Sequence, residues 1–127
     1  MKTVLILYAY CENQNTNYGN KISKDNLIYF LNDGIINNNK YKYIINISGS
    51  HSINIEYYTN IYSNIEFINI SGKNSYNSWL NILNYTNHEY DYYIFMKDKI
   101  RGPYNTQVIN SSWIDYLLQH IDINTCL

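Results

Sequence analysis

The residues best suited to chemistry lie in one short segment, Lys97-Asp98-Lys99-Ile100-Arg101, where a single carboxylate stands among three cations. A carboxylate at the end of a buried strand can hold Mg²⁺ or Mn²⁺, and the ion in turn binds a diphosphate, because hard cations prefer oxygen ligands. Lys97, Lys99 and Arg101 would then offset phosphate charge, the arginine through a two-pronged contact. An equally weighted alternative is a solvated turn in which Asp98 pairs with its own neighbours.

Several standard motifs are missing from the chain. No G-x-G-x-x-G follows the first apolar run, no G-x-x-x-x-G-K-[ST] is present, and no G-x-S-x-G nucleophile elbow occurs. The histidines are not spaced as metal ligands, and we interpret His51, His88 and His120 as ordinary surface residues. A Rossmann dinucleotide site, a P-loop NTPase and an α/β-hydrolase are therefore disfavoured.

The elements that would position the charged segment alternate between strand and helix patterns. The apolar run Thr3–Tyr10 has no polar alternation, which is typical of a central parallel strand covered on both faces. Further strands are predicted at Tyr41–Ile47, Ile65–Ile70 and Tyr90–Met96, and the tail Ile121–Leu127 reads either as a fifth strand or as the end of the last helix.

Helices are predicted between these strands from caps and apolar spacing. Ser23 is expected to cap a helix that ends at Gly34, and a short helix is expected within His51–Asn64. Asn74 or Ser75 would cap a helix, as would Ser111 or Ser112. The apolar sides of these last two helices are predicted to be Trp79, Leu80, Ile82 and Leu83, and Trp113, Ile114, Leu117 and Leu118, respectively.

This order predicts one α/β domain over residues 1–127, with a mostly parallel sheet and flanking helices. In such sheets ligands bind outside the carboxyl ends of the strands. The rule selects four loops, which are Tyr10–Asn13, Ser48–Ser52, Ser71–Asn77 and Lys97–Arg101.

Composition and charge exclude some classes of partner but say little about function. A net charge of −1 gives no electrostatic case for nucleic acid or an anionic membrane. No apolar run is long enough to span a bilayer and no signal peptide is evident, while Cys11 and Cys126 are too far apart in sequence for a disulfide framework. We expect a cytoplasmic protein, in the host cytoplasm if the genome is viral. The excess of Asn, Ile and Tyr is interpreted as a signature of A+T-rich codons.

Three stretches, in order, resemble a group of GT-A-type glycosyltransferases of polysaccharide and surface-glycan synthesis. The segment from Tyr92 to Pro103 (YYIFMKDKIRGP) looks like that group's "yyiFlNdsvRGP". The segment from Asp25 to Ile35 (DNLIYFLNDGI) is similar to its "NLeyFlkhGi" helix, and the segment from Lys73 to Trp79 (KNSYNSW) to its "reNxgyDfgaW" turn and helix. Trp113 also stands where the group tends to carry a tryptophan after RGP.

The resemblance implies the Rossmann-like, nucleotide-binding half of a GT-A fold. It implies that the protein binds a nucleotide-sugar and transfers the sugar to a glycan or other acceptor, with Mn²⁺ or Mg²⁺ assisting departure of the diphosphate. The carried-over site residues are Tyr8, Tyr10 and Glu12 at the base, Asn74 and Asn77 at the ribose and diphosphate, and Asp98 at the metal. Lys97 and Arg101 are added at the diphosphate because of their charge. No catalytic base is assigned.

Departures from the group's pattern favour a second hypothesis. Asn77 replaces an acid, Lys97 replaces an asparagine, and Lys99 adds another positive charge. The chain is also shorter than the resemblance leads us to expect for an acceptor-binding region. The alternative is a non-catalytic binding or assembly protein that keeps a truncated or degenerate glycosyltransferase fold.

Overall fold

The protein is an α/β fold in which one all-parallel, four-stranded sheet is flanked by helices. A computed structural model describes residues 2–12, 17–87, 89–103 and 113–119. The strands are β1 (Val4–Tyr10), β2 (Tyr41–Ile47), β3 (Ile65–Ile68) and β4 (Tyr92–Lys97), and the helices are α1 (Asn17–Asp33), α2 (Ile55–Ile61), α3 (Ser75–Tyr85) and α4 (Trp113–Gln119). The architecture is Rossmann-like, which confirms the predicted fold class.

The sheet has the order β3-β2-β1-β4, so β1 has a neighbour on each side. All seven residues of β1 are buried, which explains why the sequence of this strand is apolar without alternation. Val4 pairs with Tyr41 of β2 and with Tyr92 of β4, and at the other end Ala9 pairs with Asn46 and Lys97. The carboxyl ends of these strands therefore meet at one edge.

Two hydrophobic clusters pack on the two faces of the sheet. On the first face, alternate residues of β1 and β2 pack with Leu27, Phe30 and Leu31 of α1 and with Ile114 of α4. On the second face, Leu5, Leu7 and Ile44 pack with Ile82 of α3. Helices α1 and α3 thus lie on opposite faces and frame the carboxyl edge between them.

Several predicted boundaries need correction. Ser23 does not cap α1, because the helix begins six residues earlier at Asn17 and Ser23 is a buried residue inside it. Leu80 and Leu117 were assigned to apolar sides, yet both are exposed in the described structure. Strand β3 ends at Ile68 and β4 begins at Tyr92, so both are shorter than predicted.

Two further predictions are confirmed, and several others concern residues outside the described ranges. The cap of α3 is Asn74, one of the two residues proposed for it, and the short helix expected within His51–Asn64 is α2. The predictions for Ser111, Ser112, His88, His120, Cys126 and the tail Ile121–Leu127 lie outside the described residues. Over the described ranges, no helix has the length and apolarity needed to cross a membrane.

The end of α1 is held by a close backbone approach at Gly34. Its carbonyl accepts a hydrogen bond from Trp113 Nε1 of α4 at 2.8 Å, and its N–H donates to Phe30 O at 2.7 Å. A Cβ added at Gly34 would lie 2.7 Å from Phe30 Cδ1 and 2.9 Å from Phe30 O. Because real Cβ atoms do not approach that closely, the site requires glycine.

Gly34→Ala is therefore expected to destabilise the protein by about 1–3 kcal/mol, since the added methyl overpacks a buried aromatic cluster. The midpoint of thermal unfolding, followed by circular dichroism, should fall by several degrees. Asn37→Ala, an exposed substitution in the same connection, should change stability by no more than about 0.5 kcal/mol. Equal midpoints for the two variants would contradict the close approach.

Candidate functional site

The loops that follow the four strands are tied to one another at the carboxyl edge. Cys11, after β1, donates its N–H to Asp98 Oδ2 after β4 at 2.9 Å. Glu12 accepts a hydrogen bond from Ser52 Oγ, in the connection after β2, at 2.7 Å. The chain passes from β1 to β2 on one side, whereas β4 lies on the other side of β1. The edge between β1 and β4 is thus a topological switch point, where parallel sheets of this type bind ligands.

Asp98 is the centre of the β1–β4 junction. It is 4% exposed, its N–H donates to Ala9 O at 3.2 Å, and its carbonyl accepts from Asn26 Nδ2 of α1 at 2.8 Å. Burial raises the pKa of the Asp98 carboxyl, although the hydrogen bond from Cys11, the charge of Lys99 and a hydrogen bond with Ser23 act in the opposite direction. The carboxylate thereby joins β1, α1 and β4.

The Asp98 carboxylate and its surroundings are poorly suited to bind a divalent metal ion. The carboxylate is buried and already accepts hydrogen bonds from the protein. Within the described ranges, no group of three or more His, Cys, Asp or Glu side chains is close enough to hold a metal ion. Asp98 as a ligand of Mg²⁺ or Mn²⁺ stays a prediction.

One face of α1 holds two cations at the switch point. Arg101 Nε donates to Asn26 Oδ1 at 3.2 Å, and its guanidinium carbon lies 5.5 Å from the centroid of the Tyr29 ring. Lys99 Nζ donates to Ser23 Oγ at 3.4 Å. Positions 23, 26 and 29 follow one another at helical spacing, so a single face of α1 presents all three partners.

Lys99 and Arg101 remain available to an anionic ligand, although the charge of Lys99 also acts on the buried Asp98 carboxyl. In the described part of the chain, neither Lys99 nor Arg101 makes a salt bridge, and both side chains are exposed. Arginine fixed through Nε keeps the rest of its fork for a second acceptor. The arrangement is suited to bind an anion with several oxygen atoms.

Lys97 lies on the other side of the sheet. It is the last residue of β4, pairs with Ala9 and is half-buried. Phe95, two residues earlier, contacts Trp79 of α3 with ring centroids 5.3 Å apart. Because side chains alternate along a strand, Lys97 points to the α3 face, away from the Lys99–Arg101 pair.

Glu12 is a well-bonded carboxylate above the β1–β2 edge. It accepts hydrogen bonds from Ser52 N at 3.0 Å and Tyr10 OH at 2.8 Å, in addition to Ser52 Oγ. Burial opposes its ionisation, yet these bonds and the charge of Lys24 outweigh that effect and lower the pKa of Glu12. A carboxylate whose pKa is lowered stabilises the fold above its ordinary pKa, and that contribution is lost as the pH falls through the folded value.

Glu12→Gln is expected to flatten the loss of stability below about pH 4.5, the ordinary pKa of a glutamate. Thermal midpoints measured from pH 6 down to pH 3 should fall less steeply in the variant than in the unmodified protein. The matched control is Glu89→Gln, at an exposed glutamate in the connection before β4. If Glu12→Gln and the unmodified protein show the same pH dependence, the hydrogen bonds to Ser52 do not favour the ionised form.

The two tyrosines predicted to meet a base lie in the core. Tyr8 packs on Phe30 with ring centroids 4.9 Å apart, and its hydroxyl has no hydrogen-bond partner among the described residues. Burial is the main cause that raises the pKa of both Tyr8 and Tyr10. Contact with a base stays a prediction for both residues, while the structure shows them as packing residues beneath the edge.

Asn74 and Asn77 lie at the start of α3. Asn74 Oδ1 accepts from Asn77 N at 2.9 Å and thereby caps the helix. The half-buried side chain of Asn77 lines an open pocket of about 420 Å³. The predicted site residues thus divide into two groups. Tyr8, Tyr10, Glu12, Asp98 and Arg101 lie toward α1, whereas Asn74, Asn77 and Lys97 lie toward α3.

Sequence reasoning missed the residues that hold this site together. Ser23, Asn26 and Tyr29 position the cations, and the only signal for them was polar residues on an otherwise apolar helix face. Asn46 was missed as well. It is fully buried and joins β2 to the connection after β3 through hydrogen bonds to Ile70 N and O.

No protein family, no curated protein and no solved structure matches this chain.

Proposed function

We propose that the carboxyl edge of this sheet binds a nucleoside diphosphate, and that the physiological ligand is a nucleotide-sugar whose sugar passes to a glycan or other acceptor. The observation that carries the proposal is the fixed pair of cations, Lys99 and Arg101, at the switch point between β1 and β4. A diphosphate offers the multiple anionic oxygens that an exposed arginine fork and a lysine accept as partners.

The proposed chemistry follows from the same pair. When a nucleotide-sugar reacts, the acceptor oxygen bonds to the anomeric carbon while the bond from that carbon to the diphosphate breaks. The acceptor hydroxyl loses its proton to solvent or to the departing diphosphate, on whose oxygen negative charge builds. Preorganised cations stabilise that charge without reorganising during the reaction. Lys99 and Arg101 would supply this effect, and the proposal needs no divalent ion.

A second candidate function is binding without transfer, as in a binding or assembly protein that keeps this fold. The observation in its favour is the state of the two carboxylates near the edge. Asp98 is buried, and Glu12 is engaged by Ser52 and Tyr10. Neither carboxylate is presented as a ready base for an acceptor hydroxyl. A glycosyl-transfer assay separates the two candidates once a donor is known.

The test is a thermal-stability titration with UDP and with the other nucleoside diphosphates, with and without Mn²⁺. A ligand that binds only the folded state adds about 2.7 kcal/mol of stability at a hundredfold excess over Kd. Uridine, which lacks the phosphates, serves as the control. No stabilisation by any nucleoside diphosphate would refute the proposal, and equal stabilisation by uridine would show that the cations are not the site.

A further inference from the structure

The outer side of α3 carries three asparagines in one line. Asn77, Asn81 and Asn84 are separated by four and three residues, so their side chains lie along one stripe of the helix. Ser78 and Ile82, on the inner side, are buried against the sheet. We call Asn77, Asn81 and Asn84 the amide stripe.

The amide stripe forms one wall of the open pocket of about 420 Å³ beside the connection that follows β3. Asn81 Nδ2 donates to Ser71 O at 3.2 Å, which fixes that connection against the helix. The remaining wall includes Lys73 and Leu80, and no acidic side chain lines the pocket in the described part of the chain. The pocket is therefore polar, amide-rich and nearly uncharged.

The chemistry of this lining matches a saccharide. A carboxamide donates and accepts hydrogen bonds at the same time, as a sugar hydroxyl does, so neighbouring amides can pair with neighbouring hydroxyls. An apolar contact for the C–H face of a sugar ring is also present. It is Leu80, which lines the pocket and is 38% exposed.

Other ligand classes fit less well. Lys73 alone provides too little positive charge to bind a polyanion. The described lining of the pocket also has no carboxylate that could pair with a cationic ligand. We propose that the pocket along the amide stripe binds a saccharide through the side chains of Asn81 and Asn84.

The position of the pocket suggests which saccharide this is. Asn77 belongs both to the stripe and to the group of residues at the start of α3, so the pocket opens directly beside the carboxyl edge. A saccharide held there would lie at the same carboxyl edge as the proposed diphosphate, on the α3 side of the sheet. Its assignment as the acceptor rests on the proposed function, whereas saccharide binding itself does not.

The experiment is an NMR titration of ¹⁵N-labelled protein that follows the side-chain NH₂ groups. The probes are chitotriose and maltotriose, with triglycine as a peptide probe. We expect a saccharide to shift the NH₂ signals of Asn81 and Asn84 and to leave that of Asn60, an exposed asparagine of α2, unchanged. Asn81→Ala combined with Asn84→Ala should weaken binding about tenfold or more, because two amide hydrogen bonds are lost.

The variants are chosen so that folding does not obscure the result. Alanine has the highest helix propensity, so Asn84→Ala alone should maintain or raise the stability of the protein and still weaken saccharide binding. Asn60→Ala is the matched control and should bind as the unmodified protein does.

Any of four outcomes would overturn the proposal, and three of them concern where and when shifts occur. They are saccharide shifts that avoid Asn81 and Asn84, shifts that persist in the double variant, and shifts produced by triglycine as strongly as by the saccharides. Absence of any shift with both saccharides overturns it too. The same samples distinguish this inference from the proposed function, since the double variant should still bind UDP and Arg101→Ala should still bind the saccharide.

Discussion

Replacing Arg101 with alanine is expected to weaken the binding of UDP by about ten- to a hundredfold, because a hydrogen bond to a charged group contributes about 1.5–3 kcal/mol. The guanidinium is exposed, makes no salt bridge within the described residues and is oriented by Asn26 and Tyr29. The substitution removes a cation that is already held in position, so that little conformational entropy is lost when it binds the ligand. Isothermal titration calorimetry measures the change directly.

Two further variants separate charge from orientation. Arg101→Lys keeps the charge and loses the planar fork, so it should recover only part of the affinity. Asn26→Ala keeps the arginine but removes the side chain that orients it. This variant should weaken UDP binding less than Arg101→Ala does. The control is Lys42→Ala, which removes the same charge from the opposite end of β2, where Lys42 lies 4.0 Å from Glu66. If Lys42→Ala weakens UDP binding as much as Arg101→Ala does, the loss of affinity results from the overall charge of the protein and not from the proposed site.

The order of the elements could be predicted because burial leaves a direct mark on the sequence. Strand β1 is covered by helices on both faces and is correspondingly apolar at every position. Four strand-like runs separated by helical segments indicate a parallel α/β sheet, and the edge that carries the loops follows from the topology. The four loops selected from the sequence do lie at that edge, as far as they are described.

The start of α1 could not be predicted from the sequence. A serine before an apolar helical run has the pattern of an N-cap, but the helix continues back to Asn17 through a polar stretch. Ser23 instead faces the site from within the helix and contacts Lys99. The predicted cap was therefore wrong, and only the tertiary structure could identify Lys99, 76 positions away, as a partner of Ser23.

The site could be predicted only as separate loops. The sequence indicates that Asp98, Arg101, Asn74 and Asn77 follow strands, yet it contains no signal for the face on which each side chain lies. Alternation along β4 sends Lys97 to the α3 face, while Asp98 turns toward α1 and becomes buried. A charged segment that looks uniform in sequence is therefore split between two sides of the sheet.

The asparagine excess also needs a more specific interpretation than codon usage. Asn26, Asn46 and Asn64 are all buried, and each bonds to backbone atoms of a connection remote in sequence. A buried amide that joins two connections satisfies polar groups that water cannot reach. Codon bias explains how common the residue is, and these contacts explain why particular copies of it stabilise the fold.

Asn46 provides the largest expected effect on stability. It is 0% exposed, its Nδ2 donates to Ser78 Oγ at 2.7 Å and to Ile70 O at 3.0 Å, and its Oδ1 accepts from Ile70 N at 2.9 Å. Asn46→Ala is expected to destabilise the protein by about 2–4 kcal/mol, since each buried polar group left unsatisfied costs about 1–3 kcal/mol. Chemical denaturation gives the free energy of unfolding. Asn69→Ala is the matched control, because that exposed asparagine makes one side-chain hydrogen bond within the described residues, to Gly49 O at 3.1 Å.

A double-mutant cycle with Ser78→Ala tests the mechanism of that loss. When Ser78 is already alanine, Asn46→Ala no longer strands a buried hydroxyl, so the two losses should add to less than their sum by about 0.5–3 kcal/mol. Strict additivity would contradict a shared buried network. Because Asn46 holds Ile70, next to the Ser71 that Asn81 contacts, Asn46→Ala should also weaken saccharide binding along the amide stripe. Loss of stability with unchanged saccharide affinity would mean that the connection after β3 keeps its position without this asparagine.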